Sequence, residues 1–302
     1  MPTLDRFLEM MAAEKGTARS TLSAYETDLR DFFGFLKNKE PQSVASKDIQ
    51  DYIITQKHLA AASVARRLSC LRQFYKFLMS EGDVKEDPTS LIEAPRYRRK
   101  LPSILSEKDV DRLLEGTKAW GGSEGTRLSA LLEILYASGF RVSELVSLPF
   151  VTAIEILKSD KPFLIIRGKG NKDRMVPLTP AALDALKEYL KVRSGFLAKG
   201  KESPWLFPSS GQQGHLTRQR FGQLLKELAL KVGLNPTHLS PHTVRHAFAT
   251  HLLRHGADLI VVQKLLGHSD ISTTQIYTHV AQDELTELVE AFHPLAKGEA
   301  AG

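Results

Sequence analysis

Apolar residues recur at steps of three and four in two well-separated runs, and this spacing sets the first third of the chain as helical. Leu22, Tyr25, Leu29, Phe32, Phe33 and Leu36 form one stripe, and Val64, Leu68, Leu71, Tyr75 and Leu78 form the second. Side chains at these intervals share one face of a helix, so each run predicts an amphipathic helix packed through that face. Ser63 stands where an N-cap is wanted for the second helix, and Gly82 where it must stop. The other face carries Arg66, Arg67, Arg72 and Lys76. Two readings of it stay open: an ordinary solvated face, or a row of cations following a phosphate backbone.

The pattern breaks at APRYRRK, Ala94 to Lys100, where Pro95 intervenes and four of seven residues are basic. That composition suits a linker lying on something anionic. Ser106 and Asp109 then open a new helix through Val110, Leu113 and Leu114. The expected organisation is a helical domain over 1–94, a basic linker over 95–104 and a second domain over 105–302, in keeping with a length of 302 residues. The second domain reads as mainly helical. Leu131, Leu132 and Leu135 run to a stop at Gly139, Val142, Leu145 and Val146 start again, and further helices lie around Ala181 to Leu190 and Arg220 to Val232. Phe163 to Arg167 and Arg174 to Leu178 flank GKGNKD and read as a β-hairpin with a glycine-rich turn.

An apolar fraction of 42% is enough for ordinary cores and argues against a disordered chain. The net charge of +6 fits a polyanionic partner, although many soluble enzymes are as basic. Cys70 is the sole cysteine, which excludes an internal disulfide and a cysteine zinc site; it reads as a small core residue in a reducing compartment. With no apolar run of signal or membrane-spanning length, the expectation is a cytoplasmic protein without membrane insertion.

Several residues can carry chemistry. In SPHTVRH, Ser240 caps a helix that Pro241 opens, and His242 and Arg245 then share its first turns. A helix N-terminus favours anions and a guanidinium can grip two phosphate oxygens. Gly256 ends that helix, Asp258 caps the next, Gly267 stops it, and His268, Tyr277 and His279 follow. Arg141 opens the helix after Gly139, with Glu144 spaced to hold its guanidinium. Lys169 and Lys172 lie in the hairpin turn, which lacks the GK[ST] ending of a phosphate-binding loop and so excludes nucleotide hydrolysis of that kind. Each piece alone has an ordinary structural reading: a surface arginine, a capping histidine, a loop histidine, a half-buried tyrosine.

Their order changes the reading. SGFRVSEL, GKGNKDR, HTVRH and LLGHSDISTTQIYTH follow one another as in the tyrosine site-specific recombinases of the phage integrase family, Xer type, while YETDLRDFFGFL and ARRLSCLRQFYKFL resemble that family's helical DNA-clamping domain. The resemblance implies a mainly α fold with a small β-sheet: an N-terminal core-binding domain and an α+β catalytic domain, together clamping DNA. Carried over by position, it implies Arg141, Lys169, His242, Arg245 and His268 as the catalytic set and Tyr277 as nucleophile. Arg66, Arg67, Arg72, Arg98, Arg99, Lys172 and Arg174 are implied as DNA contacts. One departure is the stretch SLPFVTAIEILKSDKPFLIIRGKG, longer than the family pattern and without its usual acidic residue.

The resemblance further implies cleavage and rejoining through a 3′-phosphotyrosine, with no cofactor, metal or ATP, in resolving chromosome or plasmid dimers at cell division. The implied partners are double-stranded DNA with a dif-like site, a second Xer recombinase in a heterotetramer, and a septal DNA translocase of the FtsK type. The tail around Leu285 to Phe292 can dock on a neighbouring protomer or on its own domain. Two rivals are a helical DNA-binding protein that never cuts, and a metallohydrolase built on His242 with His246 and His251 with His255, where His246 and His251 equally suit a polar helix face. A phage integrase or type IB topoisomerase would share the recombinase chemistry.

Overall fold

The computed structural model describes residues 2–15, 17, 19–37, 39–93, 105–159, 163–167, 173–197, 201–267, 287 and 289–295. The chain divides into two compact units, Met1–Lys100 and Leu101–Gly302.

In the first unit, α1 (Pro2–Ala13), α2 (Arg19–Phe35), α3 (Ser46–Thr55) and α4 (Ala61–Ser80) surround an aromatic core. The periodicity holds: Leu29, Phe32, Phe33, Leu68, Leu71, Tyr75 and Leu78 are all buried. Phe74 packs edge-on against Phe7 at 5.4 Å, and Phe32 against Tyr52 at 5.0 Å, a geometry that favours aromatic pairs beyond their buried area. Cys70 is fully buried, and burial pushes its thiol up to about 12. Ser63 does not cap α4. The helix begins two residues earlier, after Ala60, whose side chain makes no cap. The stop is as expected: Gly82 takes φ 77°, and Asp83 N donates to Leu78 O at 2.9 Å across it.

The second unit holds α5 (Glu107–Trp120), α6 (Gly122–Ser138), α7 (Val142–Val146), α8 (Phe150–Lys158), β1 (Phe163–Arg167), β2 (Asp173–Pro177), α9 (Pro180–Val192), α10 (Arg218–Lys231), α11 (Pro241–Arg254) and α12 (Leu259–Leu266). Helix α6 lies in the middle of this unit, with twelve buried residues from Gly125 to Ser138. Strands β1 and β2 pair antiparallel, Leu164 opposite Val176 and Ile166 opposite Arg174. Ser106 and Asp109 form the expected capping box on α5.

Helix α8 fills the long stretch after Arg141 and was not legible in the sequence. FVTAIEILK is rich in β-branched residues, which weakly disfavour helix. Ala153 and Ile156, three apart, turn into the core and outweigh that preference. After α12, Phe292 and Leu295 pack on the core of this same unit and His293 is buried in it.

Candidate active site

Gly139 and Gly267 end α6 and α12 in the left-handed region, with φ 58° and 68°. A side chain at Gly139 would collide with Phe248, 2.4 Å from where its Cβ would lie, so only glycine allows this close approach. The two turns bring the ends of α6 and α12 to the base of α11. That helix is set by its own cap: Thr243 N donates to Ser240 Oγ at 3.2 Å, and Pro241 occupies the first turn.

Arg245 projects from α11 into the gap and is 9% exposed. Its Nη1 donates to Gly139 O, and its Nη2 to Leu266 O at 2.7 Å. Burial first, and then the positive charge of Arg141, pull its pKa down to about 10, so it stays charged at neutral pH. Arg141, the residue before α7, donates from Nη1 to Glu144 Oε1 at 2.9 Å and from Nη2 to Gly267 O at 3.2 Å. Its side chain is 38% exposed. Glu144 also accepts from the Arg141 backbone N–H at 2.7 Å. Burial opposes ionisation of Glu144, but hydrogen bonds from Arg174 and from the Arg141 backbone outweigh it and hold the carboxyl below its usual range.

Arg174, expected as a DNA contact, is instead 4% exposed and faces inward. Nη2 and Nη1 donate to the two oxygens of Glu144 at 2.5 and 3.1 Å, and Nε to Leu265 O at 3.1 Å. Its guanidinium is spent on a carboxylate and a helix end, which removes it from the surface.

The end of α12 is thereby fully accounted for. Gly267 N–H serves the carbonyls of Gln263 and Lys264, while Arg174, Arg245 and Arg141 take those of Leu265, Leu266 and Gly267 in turn. Cations are favoured at a helix C-terminus, where the carbonyls lack partners. This convergence of three guanidinia escaped the sequence reading, although Arg141, Glu144, Arg174 and the stop at Gly267 were all visible in it. The next residue is His268.

His242 is exposed in the first turn of α11, three residues before Arg245. Lys169, Lys172, His268, Tyr277, Arg98 and Arg99 lie outside the described residues. In the first unit, the three arginines on the basic face of α4 have partners within the unit. Arg66 pairs with Asp28, Arg67 with Asp31, Tyr52 Oη and Gln56, and Arg72 donates to Ile92 O at 2.5 Å. Arg66 and Arg72 remain exposed, and Arg67 is largely covered.

His251 is not on a polar face. It is fully buried, accepts from Tyr136 Oη at Nδ1 (2.8 Å) and donates from Nε2 to Leu105 O (2.9 Å). With both nitrogens used, His251 has none left to join His255 as a metal ligand.

The N-terminal unit matches the phage integrase N-terminal SAM-like domain over residues 4–82, and the second unit matches the phage integrase family over residues 103–284. The chain belongs to the phage integrase family. It is a tyrosine recombinase, an enzyme that cleaves and rejoins DNA. The tyrosine recombinases XerD of Agrobacterium fabrum and Rhizobium meliloti are each 50% identical to it, over 97% of this chain and 94% and 96% of theirs. Lambda integrase, solved as a dimer bound to a core site, shares the fold of this recombinase with TM-score 0.66 at 17% identity, covering 91% of this chain and 97% of that one. XerH, solved with its difH substrate before cleavage, does so with TM-score 0.62 at 23% identity, over 89% of this chain and 77% of that one. Among the described residues, no helix of the recombinase is long and apolar enough to cross a membrane.

Proposed function

We propose that this chain performs site-specific recombination through a 3′-phosphotyrosine on Tyr277, resolving chromosome or plasmid dimers at cell division. The observation that carries the reading is the convergence of Arg141 and Arg245 on the end of α12, one residue before His268. Attack on a phosphodiester drives negative charge onto the nonbridging oxygens, and two permanently charged guanidinia on a rigid frame are suited to stabilise it. Phosphate entering the site draws their donors from main-chain carbonyls.

Tyrosine ionises near pH 10, so Tyr277 must lose its proton as it attacks. His242, exposed at the N-terminus of α11, is assigned as base, a role worth about 10²- to 10⁴-fold. His268 donates a hydrogen bond to the phosphate, and Lys169 protonates the departing 5′ oxygen from the hairpin turn. The phosphotyrosine keeps the bond energy, so a 5′ hydroxyl from another strand can rejoin without ATP.

Exchange between two sites requires four protomers. The proposed partners are a second Xer recombinase in a heterotetramer on a dif-like site and an FtsK-type septal translocase as activator, in the cytoplasm. The N-terminal helical domain, the linker over 95–104 and the catalytic domain would together clamp the duplex, with Arg98, Arg99, Lys172 and the exposed Arg66 and Arg72 against phosphates.

The test is a nicked duplex carrying a Xer-type core site, which releases a short fragment on cleavage and traps the adduct. Wild type should give a shifted band on a denaturing gel and Tyr277→Phe should not. An adduct that survives in Tyr277→Phe would remove the assigned nucleophile.

A further inference from the structure

Arg174 is the second residue of β2, two positions after Lys172 in the sequence, and its side chain is buried. It closes a ring of interactions. Arg174 grips both oxygens of Glu144 (2.5 and 3.1 Å), Glu144 holds Arg141 through Nη1 (2.9 Å) and the backbone N–H (2.7 Å), and Arg141 reaches Gly267 O (3.2 Å). The ring closes because Arg174 Nε is bonded to Leu265 O, two residues before Gly267 (3.1 Å). Its side chain also covers Gly267: a Cβ there would lie 3.1 Å from Arg174 Cδ. Beneath it, Phe140 presents its ring 5.7 Å from the guanidinium carbon. Every nitrogen of Arg174 thus faces protein, and the residue is 4% exposed.

We propose that Arg174 is a positioning residue for DNA cleavage. It locks Glu144 in one rotamer, through it fixes the Arg141 guanidinium, and ties the end of α12, from which the segment bearing His268 and Tyr277 departs, to the strand that follows the lysine-bearing turn. Without it, each Glu144 oxygen keeps a single donor, both from Arg141, and the carboxylate that holds the Arg141 guanidinium loses its clamp on the opposite side. The carbonyl of Leu265 loses its donor. Misplacement of a reacting group by about 1 Å is enough to lower a rate by about 10²-fold. The proposal rests on the reading of Arg141 and Tyr277 given above.

The experiment measures single-turnover adduct formation on the nicked duplex with protein in excess, and in parallel the DNA affinity and its salt dependence. The proteins are wild type, Arg174→Met, Arg174→Lys, Glu144→Gln and the Arg174→Met/Glu144→Gln double variant, with thermal unfolding as the folding control. Arg174→Met should slow cleavage by about 10²-fold while leaving affinity and salt slope as in wild type. Glu144→Gln should act in the same direction, and the double variant should lose no more than the slower single variant, because the two residues act as one unit. Wild-type cleavage in Arg174→Met, multiplicative losses in the double variant, or a salt slope smaller by about one with weakened binding, the mark of a lost phosphate contact, would each overturn the proposal. If Arg174→Met does not fold, Arg174→Lys is judged by the same criteria, since it keeps the charge but not the forked grip. Failure of the underlying reading shows separately, as an adduct in Tyr277→Phe or none in wild type.

Discussion

Arg245 Nη2 donates to the carbonyl of Leu266 at 2.7 Å, so a guanidinium anchored in α11 holds the helix end two residues before His268. Its Nη1 holds Gly139 O at the same time. One side chain therefore sets the relative position of α6, α11 and α12 and supplies charge to the site between them.

A lysine at this position keeps the charge and loses the fork. Arg245→Lys is expected to lower single-turnover cleavage by about 10²- to 10³-fold, the range seen when one preorganised donor to a developing anion is removed. Adduct formation within a factor of about three of wild type would contradict the role assigned to the fork.

Gly139 and Gly82 give a matched pair for stability. Both have positive φ, but a Cβ at Gly139 would meet Phe248 at 2.4 Å, whereas at Gly82 it would meet nothing within 4 Å. Gly82→Ala should destabilise by about 1 kcal/mol, the cost of the left-handed backbone alone. Gly139→Ala adds overpacking and should lose about 2–4 kcal/mol by chemical denaturation. Equal losses would mean that α6 and Phe248 separate freely.

Glu133 is buried in α6, and its Oε2 has no hydrogen-bond partner among the described residues. Burial raises its pKa from 4.5 to about 7, with Asp111 adding to the rise and Lys118 opposing it. The folded value lies above the unfolded one, so the unfolded state gives up its proton first. Stability is then greatest below about pH 4.5 and declines until about pH 7, by about 2–3 kcal/mol. Glu133→Leu should remove this decline, measured as the difference in Tm between pH 5 and pH 8. An unchanged difference would assign the decline to other groups.

His293 titrates in the opposite sense. Leu295 N–H donates to its Nδ1 at 3.1 Å and its Nε2–H donates to Tyr136 O at 3.1 Å, which fixes the neutral tautomer. Burial holds its pKa at about 4, below the ordinary 6.5, and His251 is lowered by the same cause. Above about pH 6.5 neither state binds the proton; as the pH falls toward 4 the unfolded state takes it up and stability is lost. His293→Gln should retain more of its neutral-pH Tm at pH 5 than wild type does. A parallel fall in both proteins would rule out His293 as a source of the acid limb.

The helices of both units were legible because their apolar spacing, caps and glycine stops agree: Leu29 with Phe32, Ser106 with Asp109, Asp258 with Gly267. Helix α8 was not, since Val151, Thr152 and Ile154 favour extended backbone and only packing of Ala153 and Ile156 decides otherwise. Arg141 and Glu144 could be paired from their spacing of three. Arg174 could not be paired with Glu144, because 30 residues separate them and nothing local distinguishes a buried arginine from one that meets DNA. His251 was misread for the same reason: its partner Tyr136 is 115 residues away.

The burial of Cys70 has a practical side. A lone thiol with almost no thiolate at neutral pH and no path to solvent is silent to maleimide reagents. A cysteine introduced on any exposed helix face would then be the single labelled position, so fluorophores could follow the two units through a recombination cycle without first stripping the native residue from the core.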